Sequence, residues 1–230
     1  MSFPTYEYRV TQQDGGHGNT MTAYVPDGAV AGDLIIVSGV YGWNQGWSIS
    51  SAPGTWDLLY TASGYDMYWR LYTHVVTGDE AGWDGVDDSI VVNGRDAAVM
   101  KILKVPGGEA VKVTGLTNIN SATLDLPALD VTAEFGGAGD YLWFADISMG
   151  QGYSGSKCPG APTGFTTVFG PSRTGNACTR LSVLEQNAAV VDPGPAVANG
   201  SEWHGGIFYA VKAAGGGKKR GQTIFIMPGL

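Results

Sequence analysis

The chain has 230 residues, 36 of them glycine, about twice the average share. It is 43% apolar, only 15% charged, and carries a formal net charge of −8. The apolar content excludes disorder, the aperiodic glycine excludes collagen, and the acidic balance excludes a protein that neutralises the phosphates of a nucleic acid.

Taken in chain order, the pattern is β almost throughout. Residues 6–11 (Tyr6-Glu7-Tyr8-Arg9-Val10-Thr11) and 21–25 alternate apolar and polar with period two, as half-buried strands do. Residues 34–40 read as one strand that opens on the apolar run Leu34-Ile35-Ile36-Val37, as in a strand covered on both faces. Residues 56–60 and 67–72 form a pair joined by a turn at 63–66. Further strands follow at 89–92, 97–105, 110–114, 122–126, 141–147, 166–169, 178–184 and 207–211. Between them lie clusters of Gly, Pro, Asn, Asp and Ser that mark turns. The best helical candidate is a single turn at residues 79–83. Many short strands with regular turn signals predict an all-β antiparallel sandwich.

An internal repeat sharpens this expectation. Ala31-Gly32-Asp33 precedes one apolar strand, and Ala138-Gly139-Asp140 precedes another 107 residues later. Each strand is followed by a Gly-rich loop and then a turn with proline, glycine and an aromatic: Pro53-Gly54-Thr55-Trp56 in the first case and Pro162-Thr163-Gly164-Phe165 in the second. Arg70-Leu71 and Arg180-Leu181 follow in the next strand of each copy, and each copy closes on an apolar strand carrying a lysine. The glycines read as residues for positive φ and the aspartates as acceptors for backbone N–H groups at the strand start. The expected organisation is one β-sandwich domain over residues 1–212, with repeats at about 20–106 and 128–212. Residues 213–230 then form a Gly/Lys linker and an apolar C-terminal strand.

The N-terminus has no basic start followed by an apolar stretch, and no apolar run approaches the ~20 residues needed to span a bilayer. The expectation is synthesis in a cytoplasm with no membrane partner. In that setting Cys158 and Cys178 read as free thiols rather than as a bridge.

The order Val25-Pro26-x-Gly28, Ala31-Gly32-Asp33, apolar strand, Gly-rich loop, Ala52-Pro53-Gly54-Thr55-Trp56, Tyr68-Trp69-Arg70 resembles a family of β-sandwich domains of bacteriophage virions. These domains occur in head-decoration, spike and tail-associated proteins. The resemblance covers about residues 20–212. It implies a jelly-roll-like sandwich, a non-enzymatic structural role, a place in the virion, and partners among other virion proteins or further copies of the chain. It supplies no set of binding residues.

No catalytic motif is visible. His17, His74 and His204 lie in separate segments and read as loop or edge residues. There is no Gly-x-Ser-x-Gly elbow, phosphate loop, Cys-x-x-Cys or His-Glu-x-x-His, so neither cofactor nor metal is expected. The acidic group Asp79, Glu80, Asp84, Asp87 and Asp88 lacks calcium-loop spacing and reads as a solvated connection between strands.

The ligand-binding candidates are aromatic. Trp43, Asn44 and Trp47 lie in the loop 42–55, and Tyr153 occupies the corresponding loop of the second repeat. Loop rings beside amides suit a sugar, so a carbohydrate-binding module reading a host-surface glycan is the alternative function. The same rings also suit the end of a sandwich core or a protein interface. The partner-binding candidates are Lys218, Lys219 and Arg220, a basic run in an acidic protein, and Ile224, Phe225 and Ile226, a β-prone segment suited to adding a strand to a neighbour.

Overall fold

The structure, a computed structural model, describes residues 3–13, 20–42, 46–64, 67–80, 82–93, 98–150, 159–174 and 177–213. Among these residues the strands run β1 (Glu7–Gln13), β2 (Thr20–Tyr24), β3 (Leu34–Gly42), β4 (Ser48–Ser51), β5 (Asp57–Gly64), β6 (Met67–Val75), β7 (Ser89–Asn93) and β8 (Ala98–Val105). They continue with β9 (Gly108–Asp125), β10 (Leu129–Asp130), β11 (Gly139–Gly150), β12 (Thr166–Thr174), β13 (Ala177–Ala188), β14 (Val190–Val191) and β15 (Pro195–Ala213). One helical turn, α1 (Thr132–Phe135), lies between β10 and β11.

β3 shows why the layers form. It has no polar face to offer water, and it occupies the centre of a five-stranded antiparallel sheet ordered β1-β8-β3-β6-β5. Leu34, Ile36 and Val40 enter one core, while Ile35, Val37 and Tyr41 enter another on the opposite face. The three-stranded sheet β2-β7-β4 closes the second core with Met21, Ala23, Ile90 and Val92. The period-two alternation of β2 serves this arrangement, with Met21 and Ala23 inward and Thr20, Thr22 and Tyr24 outward.

The second half repeats the first strand by strand. Its five-stranded sheet is ordered β9-β15-β11-β13-β12, so β9, β15, β11, β13 and β12 stand where β1, β8, β3, β6 and β5 stand. The registers agree as well. Gly39 pairs with Arg70 on one side and Met100 on the other; Ile147 pairs with Arg180 and Gly206. β9 and β15 are long because each replaces two first-half strands. Their distal parts, where Pro195–Val197 pair with Asp125–Thr123, correspond to the β2–β7 pair. The fold is all-β, an antiparallel sandwich built from two similar halves, and the equivalence reaches back to β1 and β9.

The two five-stranded sheets face each other across one shared core. Leu34, Ile36, Trp69, Leu71 and Leu103 meet Leu142, Phe144, Leu181, Ile207 and Tyr209 there. β1 lies over β12, where the Tyr8 hydroxyl donates to the Val168 carbonyl at 2.8 Å. β5 lies over β9, close enough that a Cβ on Gly115 would sit 2.5 Å from the Tyr60 hydroxyl oxygen. Trp69 fills the space left by Gly205. These contacts relate the sheets by a pseudo-two-fold axis along the strands, with β3 and β11 side by side and running the same way.

Several local expectations are corrected. Residues 110–114 and 122–126 are one strand, because Gly115 serves close packing against Tyr60 rather than a turn. The loop 42–55 contains β4, and β15 begins at Pro195, well before residue 207. Near residues 79–83 the chain makes only a turn, closed by Trp83 N donating to the Glu80 carbonyl. The helical turn is α1, held by Thr132 N donating to Asp130 Oδ1 and ended by Gly136 at φ +85°. The Ala-Gly-Asp match is local rather than structural. Gly32 has φ +89°, and Asp33 accepts from Val30 N at 3.0 Å. Gly139, by contrast, lies within β11, and Asp140 accepts from the Asn187 side chain at 2.7 Å. Cys178 is disulfide-bonded rather than free; Cys158, the other cysteine of the chain, lies outside the described residues. Among the described residues no helix is long and apolar enough to cross a membrane, which says nothing about a strand-built barrel.

Candidate functional site

A strand in a dry interface normally carries apolar residues in phase with the core, and a charge in that phase needs a partner. Lys101 of β8 follows the phase of Val99 and Leu103, and Asp146 of β11 follows that of Phe144. Both therefore point into the core between the sheets, where their side chains are 0% and 2% exposed. The Lys101 ammonium donates to Asp146 Oδ1, and it donates to the Thr179 hydroxyl at 2.5 Å. Ser38 Oγ donates to Asp146 Oδ2 at 2.6 Å. Ser148 Oγ donates to Thr179 Oγ1 at 3.0 Å, and Thr179 donates to the Ile147 carbonyl at 3.2 Å. The cluster thus joins β3 and β8 of one sheet to β11 and β13 of the other.

Burial dominates the electrostatics here. It pushes the Lys101 ammonium below its ordinary pKa, against the opposing pull of the Asp146 charge and hydrogen bond. Burial also pushes the Tyr209 phenol well up, and the nearby Asp146 charge adds to that effect. A lysine and an aspartate held in contact, both buried and each bonded to a hydroxyl, can lock two sheets in register.

A second arrangement fixes the loops that follow β3 and β11. Arg70 Nη1 donates to the Trp47 carbonyl and, at 3.3 Å, to the Tyr72 hydroxyl. Its counterpart Arg180 donates from Nε to the Pro159 carbonyl at 2.7 Å and from Nη1 to Thr167 Oγ1 at 2.8 Å. The repeated arginine is therefore a repeated loop clamp.

The acidic segment after β6 is solvated at Asp79, Asp84 and Asp87, as expected, but it is organised around two buried carboxylates, Glu80 and Asp88. Glu80 is buried and accepts from Thr77 N at 2.6 Å, Thr77 Oγ1 at 2.8 Å and Gly78 N at 2.8 Å. Burial alone would raise its pKa; these hydrogen bonds outweigh it and hold the carboxyl at about 2. Asp88 likewise accepts from Asp84 N and Gly85 N. His74 Nε2 lies 3.1 Å from Glu80 Oε1, and Nδ1 lies 2.9 Å from the Thr55 carbonyl oxygen. Its ring stacks on Trp56 with centroids 4.9 Å apart and meets the edge of Trp83. His74 and His204 are buried in strands of the two sheets, not in loops; His17 lies outside the described residues.

Of the ligand-binding candidates, Trp47 is fully buried, tilted against Tyr72 at 5.3 Å. It caps the core and presents no ring face to a sugar. Trp43, Asn44 and Tyr153 lie outside the described residues, as do Lys218, Lys219, Arg220, Ile224, Phe225 and Ile226. Sequence reasoning missed Lys101, Asp146, Ser38 and Thr179. The available signal was a charge sitting in the apolar phase of an otherwise apolar strand.

Comparison with protein-family models, with curated proteins and with solved structures found no match to this chain.

Proposed function

We propose that this chain is a non-enzymatic structural component of a bacteriophage virion, attached to the particle through protein–protein contacts. The observation that carries this reading is the doubled sandwich itself. Two sheets of identical strand order are held face to face by a buried ionic cluster, and arginine and glutamate clamps brace their loops. The ionisable groups that stand out by burial serve the body of the fold, which suits a rigid building block. The turn and core residues that carry the resemblance to virion β-sandwiches run from Val25 to Arg70, and the resemblance extends over about residues 20–212. The acidic chain and the basic run Lys218-Lys219-Arg220 make copies of the protein electrostatically complementary. In this reading the sequence Ile224-Phe225-Ile226, β-prone by composition, is what adds to the sheet of a neighbour. Carbohydrate binding is the weaker reading, because the Trp47 ring is inside the core.

The test is quantitative. Purified particles from a producing host are expected to contain the chain at a fixed copy number. Removal of residues 215–230 is expected to release it from particles while its circular dichroism spectrum stays unchanged. A chain absent from particles, or one that hydrolyses a substrate, would remove the proposal.

A further inference from the structure

The ionic pair between the sheets has the makings of a reaction. Lys101 and Asp146 are in contact in the core shared by the two halves, with Ser38 bonded to one carboxylate oxygen and Thr179 bonded to the lysine nitrogen. We propose that Lys101 and Asp146 join in an intramolecular amide bond, formed by the folded chain itself with release of one water.

The chemistry follows from the surroundings. Water favours the ammonium and the carboxylate; an apolar interior withdraws that hydration and favours their neutral forms. Transfer of one proton from Lys101 Nζ to Asp146 Oδ1 yields a free amine beside a carboxylic acid. A neutral amine is a nucleophile, and a protonated carboxyl is an acceptor for it. The two are held in one orientation by strands of opposite sheets, which removes most of the entropy cost of their meeting. Nζ attacks Cγ, the C–N bond forms, and Ser38 Oγ–H stabilises the charge that develops on Oδ2. The Cγ–Oδ1 bond then breaks. Oδ1 departs as water, carrying its own proton and one from Nζ. Oδ2 remains as the amide oxygen, still accepting from Ser38. Thr179 Oγ1, which accepts from Nζ at 2.5 Å, positions the amine. No oxidant, metal or cofactor enters the balance. The product is a covalent staple between β8 and β11, across the two sheets rather than within one. It depends on the fold alone and not on where the protein acts.

The experiment uses the full-length protein, reduced and denatured, and measures its intact mass. The expected value is one water below the sequence mass, allowing for removal of Met1. Trypsin is expected to release a branched fragment joining residues 96–104 to residues 113–157, with the link at Lys101 and Asp146. Lys101→Arg is expected to restore the full mass. A wild-type chain at its full sequence mass overturns the proposal, whatever the stability of any variant. So does a loss of water that maps to another pair of residues.

Discussion

Ser38 and Asp146 occupy equivalent positions in the two halves of the chain, and they are hydrogen-bonded to each other at 2.6 Å. Ser38 pairs with Leu71 in β6 and Lys101 in β8; Asp146 pairs with Leu181 in β13 and Ile207 in β15. The pseudo-two-fold axis therefore passes between them. At this point the halves differ: a hydroxyl faces a carboxylate, and Lys101 stands where the second half has Ile207. A hydrophobic pair here would let the sheets slide. The directional contacts of the cluster fix one register.

Asp146→Ala should accordingly be the more damaging change at this axis. It leaves the Lys101 nitrogen buried without its partner, a loss of at least about 3–5 kcal/mol by analogy with other broken buried pairs, to which loss of the amide bond proposed above would add. Ser38→Ala removes one charge-assisted hydrogen bond, about 1.5–3 kcal/mol. Denaturant unfolding of the two variants measures the order. Negligible losses in both variants would show that the cluster does not hold the sheets.

The acid limb of stability should carry the signature of Glu80. Its pKa is about 2 in the folded chain against 4.5 as the ordinary value. A depressed carboxyl stabilises the fold above the unfolded pKa and loses that stabilisation as pH falls through the folded one. Unfolding free energy should therefore drop between about pH 4.5 and 2 by on the order of 1–2 kcal/mol from this group, after allowance for solvent screening near the loop. Glu80→Gln should flatten that part of the profile and lower stability at neutral pH. A wild-type profile that is level over this interval would contradict the loop geometry.

What could be read from the sequence divides along physical lines. Burial of β3 on both faces was legible, because four consecutive large apolar residues leave no polar face. The doubling was legible too, through Arg70 and Arg180 and through the turns Pro53 to Trp56 and Pro162 to Phe165, which are tied to local backbone geometry. The Lys101–Asp146 cluster was not. Its partners are far apart in sequence and meet only when two sheets stack, and no local period reports a contact between sheets. Gly139 misled for the converse reason: a three-residue match to Ala31-Gly32-Asp33 is too short to carry φ with it. The early start of β15 at Pro195 was hidden because between Val197 and Glu202 the strand absorbs a register shift against β9, which breaks the period-two pattern.

The paired arginines give a prediction that tests the repeat. Arg70→Ala frees the Trp47 carbonyl, and Arg180→Ala frees the Pro159 carbonyl. Each loses a charge-assisted bond to the main chain, so each should cost about 1.5–3 kcal/mol in denaturant unfolding. Arg180→Lys should recover little, since a lysine cannot reproduce contacts made from both Nε and Nη1; Arg70→Lys should recover more, since both Arg70 contacts come from the single nitrogen Nη1. A large loss at one site and none at the other would mean that the loops are held by different means.

The turn glycines Gly54 and Gly164, one in each half, separate two costs of adding a methyl group. Both are left-handed, at φ +75° and +85°. At Gly164 a Cβ meets nothing within 4 Å, so Gly164→Ala should cost only the backbone strain, about 1–2 kcal/mol. At Gly54 a Cβ would lie 2.3 Å from His74 Cε1, and His74 is itself held between Thr55, Glu80 and Trp56. Gly54→Ala must therefore displace the imidazole as well, adding about 1–3 kcal/mol of overpacking. It should also disturb the Glu80 loop, visible as a shift in the acid transition that Gly164→Ala leaves in place. Thermal and denaturant unfolding of the two variants at neutral and acid pH makes the comparison. Equal costs at both sites would show that the His74 ring yields freely and does not brace the loop.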